Sequence, residues 1–302
     1  MAPSPDTCAE QTKAAQKAVQ IVGNPTASRF SLAKLERLAE LLRAQGANVC
    51  LHMTERSGEI ARFSADSNAD VLVIAGGDSS INEAAATLKE RRGGPTLAIV
   101  PFGTGNSICR DLRLPQTIED IASAICKGNT TNLYNGIANG RAFFVAASVG
   151  FDAEIVHLMP FRMKRRLGKF AYMLLAARLL LERTRTRLKV EADGVRYNCG
   201  WAMICNTGYY AGFSRLAVNQ NGGHAGLTLI MVQRDTPLNL LRVFKHMVFG
   251  RGRHSPYLKQ IPIENARITC RTGAAVQVDG EPFGMAPLVI DGAPNALPVI
   301  GT

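Results

Sequence analysis

The sequence predicts an α/β domain with a mostly parallel sheet, followed by a mainly antiparallel β-sandwich domain. From residue 18 to residue 130, short apolar runs alternate with helical patterns, which is typical of a parallel sheet covered by helices. After residue 130 the β-prone segments are short and are separated by Asp-Gly and Asn-Gly turn signals. We therefore expect a flexible tail over 1–17 and two domains over 18–130 and 131–302.

In the first domain, β-branched and apolar residues predict four strands, at Ala18–Val22, Asn48–His52, Val71–Ala75 and Leu97–Val100. Leucines at helical spacing between Leu32 and Leu42 predict a helix after the first strand, and Ile81 to Leu88 predict another after the third. Thr117, three residues before Asp120, predicts the N-cap of a further helix.

In the second domain, five β-prone segments are predicted, at Arg187–Ala192, Tyr197–Cys205, Leu227–Val232, Ala266–Cys270 and Ala275–Val278. Turn signals such as Asp193-Gly194 and Asp279-Gly280 separate them and indicate antiparallel pairing. We leave open that the last strand of the chain returns to the first domain.

The positive charge is concentrated in one stretch. The chain has 35 Lys and Arg against 24 Asp and Glu, a net charge of +11, and residues 161–189 alone carry ten basic residues and one acid. Apolar residues at helical spacing predict a basic amphipathic helix over about 161–186, with an apolar face formed by Phe170, Met173, Leu174, Ala177 and Leu181. Such a helix either lies in a membrane interface among anionic phospholipid headgroups or packs on its own domain.

The remaining composition excludes several classes of protein. The twelve-residue apolar run 170–181 is shorter than the roughly 20 residues that a membrane span needs. Seven scattered cysteines without a Cys-x-x-Cys pair favour free thiols over a disulfide framework or a zinc site. With no signal-peptide pattern at the N-terminus, we expect a cytoplasmic protein that associates peripherally with a membrane.

The most informative motif follows the third predicted strand and runs from Gly76 to Glu83, as Gly-Gly-Asp-Ser-Ser-Ile-Asn-Glu. Paired glycines at the carboxyl end of a buried parallel strand let backbone amides approach a phosphate, and the following helix directs its positive end there. Ser79 and Ser80 are expected to cap that helix and donate to phosphate oxygens. The alternative is an ordinary glycine turn in which Asp78 is only a cap.

A second loop with the same construction follows the fourth strand, as Pro-Phe-Gly-Thr-Gly-Asn from Pro101 to Asn106. Loops from neighbouring parallel strands meet at one sheet edge, so the two are expected to form a phosphate cradle. Neither is a Walker A sequence. The first strand ends in Gly23-Asn24-Pro25-Thr26 instead of a dinucleotide fingerprint, which disfavours a dehydrogenase.

A third element, Val278-Asp279-Gly280-Glu281, places two carboxylates beside a tight turn far along the chain. Such a pair can act as a base or bind a metal. Taken alone, it also fits a plain hairpin turn.

Together these motifs resemble the diacylglycerol kinase catalytic-domain family, which includes bacterial lipid kinases and sphingosine kinases and is distantly related to NAD kinases. The resemblance covers about residues 18–300, and its motifs occur in order: Asn24-Pro25, Gly76 to Glu83, Gly103-Thr104-x-Asn106, Gly150-Phe151-Asp152-Ala153 and Asp279-Gly280-Glu281. It implies an α/β nucleotide domain, a β-sandwich, and transfer of the ATP γ-phosphate to a hydroxyl of a lipid such as diacylglycerol or a sphingoid lipid.

The resemblance also implies roles for individual residues. ATP, entering with Mg²⁺, would contact Asn24, Thr54, Gly76, Gly77, Asp78, Ser79, Ser80, Ile81, Asn82, Glu83, Gly103 and Thr104. Asp78 would organise Mg²⁺ and phosphate and competes for the role of base, whereas Glu281 would accept the proton of the lipid hydroxyl.

Three departures from the family pattern keep a second class of function open. Ser79 replaces a glycine that, at a positive φ, would cost roughly 1–2 kcal/mol to substitute. Ala225 stands where many relatives carry an acid, and Ser107 stands where many carry an aspartate. The alternatives are a non-catalytic lipid- or nucleotide-binding protein and, less favoured, an NAD kinase. The charge pattern disfavours nucleic acid, and a homodimer stays open.

Overall fold

The computed structural model describes residues 16–91, 93–160, 169–182, 186–210, 214–217, 222–249, 254–292 and 296–301. It has an N-terminal α/β layer structure followed by two packed antiparallel sheets, which confirms the predicted fold class. Most of the predicted tail lies outside the described residues.

The first domain is built on a six-stranded sheet with the strand order β2-β1-β3-β4-β20-β5. Its strands are β1 (Ala18–Gly23), β2 (Asn48–Met53), β3 (Val71–Gly76), β4 (Thr96–Pro101), β5 (Thr130–Leu133) and β20 (Leu297–Ile300). Strands β1 to β4 pair in parallel, and every residue of β3 is buried, as expected for a central strand covered on both faces. The last strand, β20, lies between β4 and β5, parallel to the first and antiparallel to the second.

Five helices cover this sheet: α1 (Leu32–Ala44), α2 (Glu59–Asp66), α3 (Asp78–Lys89), α4 (Ser107–Asp111) and α5 (Ile118–Lys127). The predicted cap of α5 is confirmed, because the Thr117 hydroxyl accepts a hydrogen bond from the Asp120 amide at 3.2 Å. Helix α5 then ends at Gly128, whose φ of +73° favours glycine.

The second domain has two further six-stranded sheets, with orders β10-β9-β16-β19-β6-β7 and β15-β14-β11-β8-β17-β18. Their strands are β6 (Gly136–Ala138), β7 (Arg141–Phe143), β8 (Ala146–Val149), β9 (Leu188–Ala192), β10 (Val195–Cys199), β11 (Trp201–Cys205), β14 (Leu227–Val232), β15 (Lys259–Ile263), β16 (Asn265–Cys270), β17 (Ala275–Val278), β18 (Glu281–Met285) and β19 (Leu288–Asp291). A small pair consists of β12 (Tyr209–Tyr210) and β13 (Ser214–Arg215).

One predicted strand is wrong in extent. The segment Tyr197–Cys205 forms two strands, β10 and β11, which belong to different sheets. Gly200 separates them, and a Cβ on it would lie 2.4 Å from the Asp235 carboxyl group. The missing side chain therefore makes room for Asp235 where the chain crosses from one sheet to the other.

The described residues of the second domain also form three helices: α6 (Phe151–Leu158), α7 (Lys169–Glu182) and α8 (Pro237–Val248). One apolar core fills the space between the two sheets. A separate core lies on the outer face of the β11–β14 pair. There Trp201 and Ile230 belong to one cluster of buried residues with Leu175 and Leu179 of α7 and Leu240 and Val243 of α8. The helices thus form a third layer on the sandwich.

The apolar face predicted for α7 is wrong within the described side chains. Ala171, Leu175 and Leu179 are buried, whereas Leu174 is 60% exposed and Ala177 is exposed. Because almost every residue of this helix is apolar, spacing alone does not indicate which stripe packs inward. The rest of the basic stretch, at 161–168 and 183–185, lies outside the described residues. No helix among the described residues is long and apolar enough to span a membrane.

The two domains meet along the segment before β8. Phe143 belongs to the core between the sheets, and Phe144 belongs to a core of the first domain. Asp111, at the end of α4, accepts hydrogen bonds from the amides of Gly208 (2.9 Å) and Gly222 in the second domain. Its buried carboxylate thus links a helix of the first domain to two loops of the second.

Candidate active site

Three loops at the carboxyl ends of β1, β3 and β4 surround a cleft of about 310 Å³. It is lined by Asn24, Thr26, Ala27, Ser28, Gly77, Asp78, Ser79, Ser80, Gly103, Thr104 and Gly105. Seven of these were predicted from the sequence, and the structure brings them together at the sheet edge where open α/β folds bind ligands. Thr26, Ala27, Ser28 and Gly105 were missed, although their position in the same strand-end loops could have indicated them.

The two glycine-rich loops are in backbone contact. A Cβ on Gly103 would lie 2.6 Å from the Gly77 Cα, and a Cβ on Gly77 would lie 3.2 Å from the Gly103 Cα. Gly76 is equally constrained, since a Cβ there would lie 2.5 Å from the Ser80 side chain. These glycines therefore allow the two loops to approach each other closely. As a result, the floor of the cleft is made of backbone atoms.

Side-chain hydrogen bonds connect the three loops to one another. Asn24 Nδ2 donates to Ser80 Oγ at 3.0 Å, and the hydroxyls of Ser28 and Thr104 are 2.8 Å apart. Asn106 shapes the second glycine loop from within, because its Oδ1 accepts from the Gly103 amide at 2.9 Å. Its positive φ of 49° is tolerated by asparagine better than by most residues. The cleft is thus held in shape by polar contacts.

Helix α3 begins directly at the cleft. Its N-cap is Gly77, and none of the described side chains caps it, so the prediction that Ser79 and Ser80 are caps is wrong. Ser79 lies in the first turn of the helix, an α-helical position that a serine adopts without the strain of a positive φ. The open amides and the helix dipole make this end suited to an anion.

Asp78 is the carboxylate of the cleft. Its Oδ1 lies 3.4 Å from the Ile108 amide, a long hydrogen bond. Burial raises the pKa of Asp78, while the amides of Ser107 and Ile108 and the Ser107 hydroxyl lower it by a smaller amount. Ser107 therefore contacts Asp78 as a hydrogen-bond donor.

Five predicted nucleotide contacts lie outside the cleft lining: Gly76, described above, and Thr54, Ile81, Asn82 and Glu83. The Ile81 side chain is fully buried in the core of the first domain, and its amide donates to the Gly77 carbonyl at 3.1 Å. The Thr54 amide donates to the Gly23 carbonyl, and Glu83 accepts from the Ala61 amide at 2.9 Å, at the start of α2. Asn82 also lies away from the lining, with both amide atoms buried and without a hydrogen-bond partner among the described residues.

The oxygens of the Asp279 carboxylate are occupied by hydrogen bonds from backbone amides. Its carboxylate accepts from the amides of Phe144, Val145 and Ala146 at 3.0, 2.8 and 3.0 Å, on the segment that joins the two domains. Burial raises its pKa to about 6, although these three hydrogen bonds act to lower it. Asp279 and Gly280 have φ values of +51° and +80°, as a tight hairpin turn requires. Asp279 therefore fixes the turn to the domain junction.

Glu281, two residues farther on, remains accessible. Its Oε2 lies 2.7 Å from Arg141 Nη2, and the two side chains are 50% and 44% exposed. Glu281 does not line the cleft itself. Strand β7, which carries Arg141, contacts α3 of the first domain. Of the two carboxylates at the turn, only Glu281 is free of backbone donors in the described residues.

The described residues contain no group of three or more His, Cys, Asp or Glu side chains that could hold a metal ion. A magnesium ion entering with a nucleotide needs only one or two protein carboxylates, since phosphates and water supply its other ligands. Asp78 fits that requirement.

Comparison with known proteins assigns both domains. Residues 18–136 match the family described as the diacylglycerol kinase catalytic domain, and residues 145–301 match the YegS C-terminal NAD kinase beta sandwich-like domain. A diacylglycerol kinase of Staphylococcus aureus (strain Newman) is 29% identical over 283 residues, which cover 90% of this chain and 88% of the relative.

Solved structures agree with this assignment at the level of the fold. The crystal structure of a diacylglycerol kinase from Bacillus anthracis superposes with a TM-score of 0.77 at 23% identity, covering 96% of this chain and 99% of that one. Another chain from that organism gives a TM-score of 0.81 at 22% identity, covering 97% and 98%. The chain belongs to the diacylglycerol kinase family, in which a diacylglycerol kinase catalytic domain is followed by an NAD kinase-like β-sandwich domain.

Proposed function

We propose that the protein is an ATP-dependent lipid kinase, which transfers the γ-phosphate of ATP to the hydroxyl of a lipid such as diacylglycerol or a sphingoid lipid. One observation carries this proposal: two glycine loops in backbone contact form the floor of a cleft into which the uncapped end of α3 opens. This arrangement suits a polyphosphate, because backbone amides and the helix dipole bind negative charge without steric obstruction. The family and the names of its relatives favour a kinase.

In the proposed reaction, the lipid hydroxyl oxygen bonds to the γ-phosphorus, the bond to the β-phosphate oxygen breaks, and ADP leaves. Glu281 accepts the hydroxyl proton, and its accessibility favours it over Asp279, whose oxygens already accept three backbone amides. Arg141 orients the Glu281 carboxylate.

In the proposed reaction, residues of the cleft bind and position the nucleotide. Mg²⁺, held through Asp78 and the phosphates, would supply neutralisation of the phosphate charge. Gly77, Gly103 and the first turn of α3 would hold the phosphates, and Ser79 and Thr104 would donate hydroxyl hydrogen bonds to them.

The proposal is tested by incubating the protein with radiolabelled ATP, Mg²⁺ and a panel of dispersed acceptors that contains diacylglycerol, sphingosine, ceramide and NAD. Transfer of label to a lipid is the expected result. Label on NAD alone would assign an NAD kinase, and no transfer to any acceptor with ATP still bound would leave a binding protein.

Exchanging Glu281 for glutamine separates catalysis from binding. We expect Glu281→Gln to reduce turnover about 10²–10⁴-fold, the usual contribution of a general base, with the ATP dissociation constant unchanged. Glu191→Gln is the matched control, because Glu191 is also half exposed (53%) and pairs with an arginine, Arg196, at 3.6 Å. If both variants turn over at the wild-type rate, Glu281 is not the base and Asp78 becomes the candidate.

A further inference from the structure

Helix α8 has two apolar faces, of which only one is covered. Leu240, Val243 and Met247 are buried against the sandwich, with exposures of 3%, 1% and 7%. On the opposite side, Leu238, Leu241 and Phe249 are 55%, 54% and 70% exposed. Phe249 is the C-cap residue of the helix. An isolated exposed leucine needs no explanation, whereas a row of exposed apolar residues marks an interaction site.

The outer face of α8 consists of Leu238, Leu241, Arg242, Lys245 and Phe249, which recur at three- and four-residue spacing and so share one side of the helix. Arg242 and Lys245 are both exposed, and Arg242 lies over the Tyr257 ring at 5.4 Å. Residues 237–249 contain no Asp or Glu. The face therefore combines apolar and cationic side chains without any acidic one.

The neighbouring helix extends this chemistry. Helix α7 contacts α8 and exposes Leu174 (60%) beside the exposed Arg178. It lies in the stretch 161–189, which carries ten basic residues and one acid. The other large apolar side chains that are exposed in the described parts of the chain lie singly on other elements: Leu32 on α1, Leu158 on α6, Val195 on β10 and Met285 on β18.

We infer that the outer face of α8, together with Leu174 of α7, is the surface by which the protein docks on an anionic phospholipid bilayer. Leucine and phenylalanine side chains enter the boundary between headgroups and acyl chains, while arginine and lysine remain among the phosphates. A second copy of the chain fits less well, because a symmetric contact would place this face, which has two cations and no acid, against the same face of the partner. The inference rests on the proposed function, since a kinase of a membrane lipid meets its acceptor at the bilayer.

The test measures sedimentation with phosphatidylcholine vesicles, with and without phosphatidylglycerol, in the absence of ATP and of any acceptor lipid. We expect the wild type to bind only the anionic vesicles, and to dissociate as salt screens the attraction. The triple variant Leu238→Ser, Leu241→Ser, Phe249→Ser should bind about tenfold more weakly or worse. The control triple variant Leu32→Ser, Val195→Ser, Met285→Ser removes equally exposed apolar side chains elsewhere and should bind like the wild type.

A pair of charge reversals tests the cationic part. Arg242→Glu with Lys245→Glu should weaken binding to anionic vesicles at low salt, whereas Lys34→Glu with Arg196→Glu, two exposed cations on other elements, should not. Circular dichroism and the melting temperature identify any variant that fails to fold, and the charge-reversal pair then decides in place of the serine variant.

Three results would overturn the inference. They are a wild type that ignores anionic vesicles at low salt, an α8 variant that binds as well as the control, and a wild-type dimer that the α8 triple variant dissociates while vesicle binding persists. Activity on detergent-dispersed lipid separates the two proposals. Kinase activity without vesicle binding would support the proposed function and contradict this inference. Vesicle binding through α8 without kinase activity would support this inference and contradict the proposed function.

Discussion

The loops of the cleft at the sheet edge and the outer face of α8 are surfaces of opposite character. In the cleft, Gly77 and Gly103 are in backbone contact, and hydrogen bonds between side chains connect each loop to the next. On α8, by contrast, Leu238, Leu241 and Phe249 project with more than half of their surface exposed. The cleft can recognise a ligand by its shape. The outer face of α8, by contrast, can bind a partner only through the sum of many small contributions from individual side chains to the binding free energy. A single methyl group should therefore disrupt the cleft, while the outer face of α8 should tolerate any one exchange.

The largest effect is expected at the contact between the glycine loops. Gly103→Ala would place a methyl group 2.6 Å from both the Gly77 Cα and Asn106 Oδ1, so the loops must separate and ATP binding should be lost. Isothermal calorimetry with ATP-Mg measures this, as does the rise in melting temperature that a bound ligand produces. Gly94→Ala is the control, since its Cβ would meet Arg91 at an ordinary 3.4 Å. Wild-type affinity in Gly103→Ala would remove the contrast between the two surfaces.

The next largest effect is a difference between the two faces of α8, in how much an alanine substitution lowers the free energy of unfolding. Leu240→Ala leaves a cavity under the helix and should lower the free energy of unfolding by about 2–4 kcal/mol. Leu241→Ala, one residue away and 54% exposed, should change it by less than about 0.5 kcal/mol. Urea unfolding of both variants measures the difference. Equal losses would mean that the outer face is covered in the folded protein.

A smaller effect on stability, which depends on pH, is expected at Asp279. Like the residues of the cleft, Asp279 is held in place by hydrogen bonds. Its pKa is raised from 3.8 to about 6 in the folded protein, so the folded state binds the proton more tightly than the unfolded state does. The carboxyl group's contribution to stability should therefore be greatest below pH 4, decline between pH 4 and 6, and stay constant above. Unfolding free energies of wild type minus Asp279→Asn across this range test the sign, and a difference that rises with pH would contradict it.

The smallest effect is expected at Ser79. Because Ser79 lies in the first turn of α3 rather than at a positive φ, Ser79→Gly relieves no strain. It should cost at most about 1 kcal/mol of stability through lost helix propensity, and it should leave ATP affinity within about twofold. Thermal unfolding and nucleotide titration provide the measurements. A large gain of activity would instead indicate that this position of the loop requires glycine.

The same contrast explains what the sequence predicts well. Gly77 and Gly103 are found from the sequence because close backbone approach requires glycine, which leaves a recognisable motif. Asp78 is found with them because it directly follows the glycine pair. Glu83 lies in the same motif but holds α2 instead of lining the cleft, since neighbours along a helix point in different directions. A motif thus locates a site and does not by itself assign each member's contact.

The outer layer of the second domain was harder to predict. Helix α8 was not predicted, although Thr236 and Pro237 form a standard start, with the Thr236 hydroxyl accepting from the Asn239 amide at 3.3 Å. Its buried residues Leu240, Val243 and Met247 recur at three- and four-residue spacing, a helical pattern from which the helix could have been predicted. On α7, by contrast, almost every residue is apolar, so spacing did not identify the inward face, where Leu175 is buried and Leu174 is exposed.

Strand β20 has a consequence for how the molecule is made. Residues 297–300 occupy an interior place in the sheet of the first domain, between β4 and β5, although nearly two hundred residues of chain separate β4 from them. During synthesis, the sheet of the first domain therefore keeps a gap between β4 and β5 until the second domain and β20 have been made. A chain that stops before Leu297 would expose two unpaired strand edges, which invite aggregation. Only a chain that contains β20 can therefore complete the sheet of the first domain.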